Sequence, residues 1–290
     1  MQSLWKKLFI AVTVLLVISF ALDASLWQQL NATRIQLNET ISQLNDTTAQ
    51  LNAVSPGMDS LIAERDRVLN SYADLRRQIN LRLGVGQDCQ SFITPDDPEI
   101  SAWVQEITGG YSEEELWKDY ARLFQWTMRN VKYSLDSPVP ILPESPDGTL
   151  EWKKDFWRTP VQTISDGTGD CEDISLLLTS LMLNYNQRRY PVWIVGVKTT
   201  GSNPRAHVAV AIPSANNQLS FFDVPGRYYT PFANVGGFGS QDVPQALTHW
   251  LNHLEEEMVG AQVYVAFSEN FYQEFSGNEE FIDWTSKLLS

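Results

Sequence analysis

Hydrophobic and polar positions fall along this chain in distinct textures. The first is an apolar run of fifteen residues, 8–22, with Lys6 and Lys7 before it and Asp23 after it. Such a run predicts either a membrane anchor or the core of a cleaved signal peptide, with Ser19-Phe20-Ala21 as the cleavage site. Extended back to Leu4, with Trp5 and Trp27 at its ends, it approaches the ~20 residues an anchor needs. The two lysines then place everything past Asp23 outside the cell. We favour an uncleaved single-pass anchor over 1–27, with secretion after cleavage as the alternative. The second texture is a seven-residue repeat, Leu30-Asn31, Leu37-Asn38, Leu44-Asn45 and Leu51-Asn52. With Trp27, Arg34, Ile41 and Thr48, these leucines follow the 3,4 spacing of a coiled-coil seam. Pro56-Gly57 predicts a break. Met58, Leu61, Ile62, Val68, Leu69, Tyr72, Leu75 and Ile79 then share a face of a second helix, which Gly84 ends. Residues 28–83 thus read as a helical coiled-coil stalk able to pair two copies of the chain.

From Pro95 the texture becomes aromatic-rich. Ser112-Glu113-Glu114-Glu115 predicts a capped helix start, continuing to Asn130 with Leu116, Tyr120, Leu123, Phe124 and Thr127 on one face. Residues 190–197, 207–212, 219–223 and 261–267 have strand character, and 243–257 and 279–289 read as helices. This mixture predicts an α+β domain over 84–290.

Composition narrows the classes. Lys and Arg total 21 against 35 Asp and Glu, a net charge of −14, which argues against nucleic acid as a partner. The 43% hydrophobic content is ample for a core and excludes wholesale disorder. Two cysteines, Cys89 and Cys171, cannot build a disulfide framework, and three histidines make a structural zinc cluster unexpected. No metal and no cofactor is predicted. His249 and His253 are four apart but lack the acid of a metalloprotease helix, and Gly236-Gly237-Phe238-Gly239 lacks the lysine of a phosphate loop. Asn31, Asn38 and Asn45 head Asn-x-Thr sequons and are candidate glycosylation sites.

The candidate chemistry centres on Gly167-Thr168-Gly169-Asp170-Cys171-Glu172-Asp173, followed by Ile174, Leu177, Leu178 and Leu181 at helical spacing. This predicts a tight turn into a helix, Asp170 as N-cap and Cys171 in the first turn. The helix dipole and free amides there predict a thiol pKa well below the free value, against the pull of three neighbouring acids. A base is found by pairing 207–212 with 219–223 as a hairpin centred on Ala215. Ile212 then faces Gln218 and His207 faces Asp223, a carboxylate able to fix the imidazole tautomer. Cys89 stays open between a free thiol, a staple between two stalks and a partner for Cys171.

Gly-Asp-Cys-Glu-Asp opening a helix, then a strand led by His, then Asp ending the next strand, resembles the transglutaminase-like superfamily, in particular its archaeal and bacterial cysteine proteases. Thr159-Pro160-Val161-Gln162-Thr163-Ile164 is similar to the segment before the family's cysteine. The resemblance covers about residues 110–230. It implies a papain-like core, a nucleophile helix packed on an antiparallel sheet. It implies Cys171 as nucleophile, His207 as base and then acid, and Asp223 as orienter. Gln162, Asp170 and Trp157, with Trp152, are candidates to support the oxyanion. The implied activity is a thiol enzyme acting on peptide or glutamine-type amides of a protein or peptide through a thioester. Water as acceptor makes it a peptidase or amidase, an amine makes it an acyltransferase, and the triad does not separate them. The alternative is a catalytically degenerate fold used as a cell-surface binding module.

Overall fold

The computed structural model describes residues 2–84, 86–231 and 238–289; side chains are described for Lys6, Phe9 and Thr13 and from Ser25 on, Gly86 and Gln87 excepted. The chain divides into two units, Met1–Tyr72 and Ala73–Ser290. The first consists of most of α1, Gln2–Leu81, an 80-residue helix that contains Pro56. The break expected at Pro56-Gly57 does not occur. Proline in a helix costs ~3 kcal/mol through one lost hydrogen bond and one clash, a local penalty that the many remaining bonds of so long a helix outweigh. Leu30, Leu37, Leu44 and Leu51 are exposed, as are Asn31, Asn38 and Asn45. A coiled coil needs a second strand against that seam, and none is shown.

The membrane expectation is overturned. Among the described residues no helix is long and apolar enough to cross a membrane. Residues 8–22 rise about 22 Å at 1.5 Å each, short of the ~30 Å hydrocarbon core. Most side chains of that run, and that of Trp5, lie outside the described residues. The single-pass, extracellular placement built on the anchor is therefore not supported.

The second unit continues past α1 with a 3-10 turn (Gly86–Phe92), α2 (Pro98–Thr108) and α3 (Leu116–Asn130). Short pieces follow: β1 (Lys132–Tyr133), β2 (Val139–Ile141), β3 (Glu151–Lys153), α4 (Pro160–Asp166) and β4 (Thr168–Gly169). Then come α5 (Cys171–Tyr185), β5 (Trp193–Lys198), β6 (Ala206–Ser214), β7 (Gln218–Asp223), β8 (Tyr228–Tyr229) and β9 (Gln241–Asp242). The chain ends with α6 (Val243–Leu254), β10 (Gln262–Ser268), β11 (Phe271–Glu274) and α7 (Asn278–Leu289). The main sheet runs β11-β10-β5-β6-β7-β8, with β9 also beside β7, and its pairings are antiparallel.

Helix α5 explains the core on one face. From Asp173 to Leu183 every residue is buried. A helix apolar nearly all round has to be wrapped, and α2, α3, α4 and the sheet surround it. Strand alternation divides β6 between two cores. Val208, Val210 and Ile212 face α5 with Ile174 and Leu177, whereas Ala209 and Ala211 face α6 with Phe221 and Trp250. The expected α+β arrangement, a helix bearing Cys171 packed on an antiparallel sheet, is what the chain adopts. Helix α3 starts at Leu116, later than Ser112, and its cap residue Glu115 makes no side-chain cap bond.

Candidate active site

The turn before α5 is fixed from two sides. Helix α4 closes on Gly167, at φ 62°, a left-handed position that suits glycine. Next, β4 pairs in parallel with β1, Tyr133 opposite Gly169, and this sets the direction in which the chain enters α5. Asp170 occupies the N-cap position but caps nothing; its buried Oδ1 has no partner. Helix α5 is tied to β6 by Ser175 Oγ, which donates to the Val208 carbonyl at 3.3 Å. The Val208 amide lies close enough to the Cys171 sulfur to favour its thiolate form slightly. The peptide that follows His207 therefore lies against the thiol.

The hairpin differs from expectation in a way that preserves its consequence. Ser214 pairs with Gln218 and Ile212 with Ser220, a register two residues from the expected one. The cause is the three-residue loop 215–217, in which Asn216 and Asn217 take φ of 62° and 57°, values asparagine tolerates better than most residues. A slip of two keeps every side chain on its face. His207 and Asp223 are now diagonal neighbours, and His207 Nε2 lies 2.8 Å from Asp223 Oδ2. Trp250 Nε1 donates to the same oxygen at 2.9 Å, and the Gly226 amide donates to Oδ1 at 2.8 Å. A side chain at position 226 would bring its Cβ to 2.7 Å from that carboxylate, so glycine permits the approach. Burial alone would raise the Asp223 pKa; His207, Trp250 and Gly226 together hold it below the usual carboxylate range. Trp250 was not visible as a site residue in the sequence, where it is one more apolar position on α6.

Around Cys171 the electrostatics run opposite to expectation. The residue keeps some exposure, but its sulfur is enclosed, and this burial pushes the thiol well up. Glu172 and Asp170 add to the rise, and Sγ donates to Glu172 Oε2 at 3.2 Å. The low-pKa thiolate read from the helix start is corrected accordingly: a few partial charges do not offset desolvation and two acids. Glu172 is itself raised, by burial and then by Asp170, and Asp170 is raised to about 6, chiefly by burial. Deeper in, Arg158 Nη1 bonds Asp136 Oδ1 at 2.7 Å and Asp173 Oδ2 at 2.5 Å, both carboxylates being buried. Asp136, Asp170 and Glu172 each offer an oxygen within 4.8 Å of the others. That is the hard donor type Ca²⁺ or Mg²⁺ takes, although Arg158 already holds Asp136.

The other candidates do not converge on the thiol. Gln162 Oε1 accepts from Arg82 Nη1 at 2.7 Å and from the Thr159 amide at 3.0 Å, completing the cap of α4. The Trp157 ring packs on Phe92 and Phe267, and its indole N–H serves Asp155. Trp152 is exposed. His249 bonds Gln241 and His253 bonds the Gly226 carbonyl. Cys89 and Cys171 are free thiols, with Cys89 pushed up to about 12 by burial. Gly236 and Gly237 lie outside the described residues. A cavity of about 420 Å³ opens on His207, with Tyr133, Pro225, His253 and Glu257 in its wall. A larger one, about 650 Å³, is lined by Tyr190, Trp193, Phe271 and Trp284 and contains none of these groups.

Residues 103–231 match the family model for a transglutaminase-like domain. Among solved structures, Legionella pneumophila LapG is 14% identical, with 66% of this chain and 96% of that one covered and a TM-score of 0.32. A candidate cysteine protease of Cytophaga hutchinsonii is 12% identical, covering 64% of this chain and 50% of that one, TM-score 0.30. A candidate protease of Parabacteroides distasonis is 12% identical, covering 51% and 25%, TM-score 0.31. No curated protein matches the sequence. Cys171, His207 and Asp223 all fall within the stretch, residues 103–231, that matches the model for a transglutaminase-like domain.

Proposed function

We propose that this domain is a thiol enzyme that opens peptide or glutamine-type amides through a thioester on Cys171, with His207 and Asp223 completing a triad. The observation that carries the reading is the 2.8 Å His207–Asp223 hydrogen bond, one residue before the peptide that meets the thiol. With Nε2 turned to Asp223, Nδ1 is the ring nitrogen left for proton transfer. Cys171 rests as a neutral thiol, so His207 removes its proton as the sulfur attacks. The C–S bond forms while the carbonyl pair moves onto oxygen. Collapse restores C=O and breaks C–N, and the amine leaves with the proton from His207. Water or a second amine then attacks the thioester, giving its proton through His207 to the departing thiolate. The cavity beside His207 supports access for a protein or peptide substrate.

Incubation with a glutamine-containing peptide library, with and without hydroxylamine, tests this by mass spectrometry. Shortened peptides mark a peptidase, Gln-to-Glu conversion an amidase and hydroxamates an acyltransferase. Each product has to vanish in Cys171→Ala. A second reading, a degenerate fold used for binding, is favoured by the raised thiol. It becomes the better one if no product forms or if products persist in that variant.

A further inference from the structure

An acyl-transfer site needs donors aimed at the oxygen that gains charge. The Cys171 amide, at the first position of α5, is one such donor. The side chains singled out in the sequence for the second are taken: Gln162 caps α4 and the Trp157 indole serves Asp155.

Strand β10 supplies another. Its pairing with β5 steps from Val263↔Val197 to Val265↔Gly196, so Tyr264 is an extra residue in the ladder. Bulges of this kind re-aim a side chain and are common beside active sites. Opposite it stands Gly196, where a Cβ would lie 2.9 Å from Tyr264 Cε1 and 3.0 Å from Cζ. The ring therefore rests on the glycine backbone, with Lys198 Nζ 5.0 Å from its centroid. On its other side Gly196 pairs with Val208, whose amide meets the Cys171 sulfur. Neighbouring strands are ~4.8 Å apart, so the phenol lies one strand from the peptide that touches the nucleophile. Tyr264 and Cys171 border the same core. Burial, followed by the charge that Cys171 would carry, holds Tyr264 as the neutral phenol, the form that donates.

We infer that Tyr264, turned by the β10 bulge across Gly196, donates its hydroxyl to the oxyanion formed when Cys171 attacks a carbonyl. This rests on the thioester reading above. The hydroxyl keeps its proton throughout. It hydrogen-bonds the oxygen while the tetrahedral intermediate exists and releases it when C=O re-forms.

Two reagents separate this role from others in a Cys89→Ser background. p-Nitrophenyl acetate acylates a thiol through an oxyanion, whereas iodoacetamide alkylates it by displacement at carbon without one. Tyr264→Phe is expected to slow acylation of Cys171 about a hundredfold and to leave alkylation unchanged. Gly196→Ala, which pushes the ring aside and keeps the hydroxyl, should show the same selective loss and serves if Tyr264→Phe fails to fold. Equal slowing with both reagents would overturn the role, because Tyr264 would then act on the thiol itself. Unchanged acylation in Tyr264→Phe would also overturn it while leaving the thioester reading intact. So would a selective loss in Tyr133→Phe alone, which moves the donor to the cavity wall. Failure of the parent protein to acylate at Cys171 would remove the thioester reading, and this inference with it.

Discussion

Asp223, beside His207, and the pair Asp170 and Glu172, beside Cys171, are carboxylates withdrawn from solvent within one domain, but they are held in opposite ways. Asp223 receives three donors, from His207, Trp250 and Gly226, and stays below the usual carboxylate range. Asp170 has an oxygen with no partner and is raised to about 6. Glu172 faces Asp170 and a thiol and is raised further. Burial is common to both regions, so burial does not decide the charge state; the supply of donors does. One region is built to keep an anion and the other to hold protons.

The sharpest way to break this contrast is to exchange anion for amide on both sides. Asp223→Asn should depress turnover of p-nitrophenyl acetate by roughly 10³–10⁴-fold through loss of tautomer control, with the melting temperature little changed. Glu172→Gln should leave turnover within about tenfold, because the amide keeps an oxygen to accept from Sγ and Glu172 has no part in the proposed proton transfers. Equal losses in the two variants would erase the distinction.

Arg158 pairs with two buried acids on the Cys171 side, Asp136 and Asp173. Arg158→Met strands Asp136 and Asp173 and should cost ~3–5 kcal/mol of stability, read as a shift in the urea midpoint. A loss below about 1 kcal/mol would mean that those acids simply take up protons.

The thiol reports on the proton-holding side. In Cys89→Ser, the iodoacetamide rate of Cys171 should have its midpoint above the free-thiol value of about 8.5. Glu172→Gln should lower that midpoint, since it removes the largest charge cause after burial.

The smallest effect is on stability against pH. Asp170 has a folded value of about 6 against 3.8 in the unfolded chain, so the folded state binds more protons between them. Its contribution is full below about pH 4 and is lost as pH rises through about 6. Asp223 carries the opposite sign and matters only at lower pH, where its depressed pKa is crossed. Thermal melting should therefore rise by a few degrees from pH 7 to pH 5, and Asp170→Asn should flatten that slope.

Much of the site was legible because it rests on local rules. The Gly-Asp-Cys-Glu-Asp turn and the apolar residues after it give α5 and the place of Cys171. The hairpin face survived a wrong register because parity, not exact pairing, assigns faces; the left-handed asparagines that set the loop leave no clear mark in sequence. The contact of Trp250 with Asp223 and the role proposed for Tyr264 depend on distant packing and on a bulge, which residue spacing does not reveal. The direction of the Cys171 shift was missed because three adjacent acids reveal neither where their side chains point nor how far water is excluded. The N-terminal anchor failed on length: its fifteen-residue run, Thr13 and Ser19 included, falls short of the about twenty needed.

Helix α5 has a consequence for how this protein can change over generations. Between Asp173 and Leu183 it presents no free surface, so every substitution there must also solve a packing problem. The proposed nucleophile is thus carried by one of the least variable kinds of structure a protein has. On the proposed function, new substrate preferences have to be acquired elsewhere, at Pro225, Glu256 and Glu257 in the wall of the cavity by His207. There, residues other than Gly226 can be exchanged without disturbing the helix that carries the sulfur.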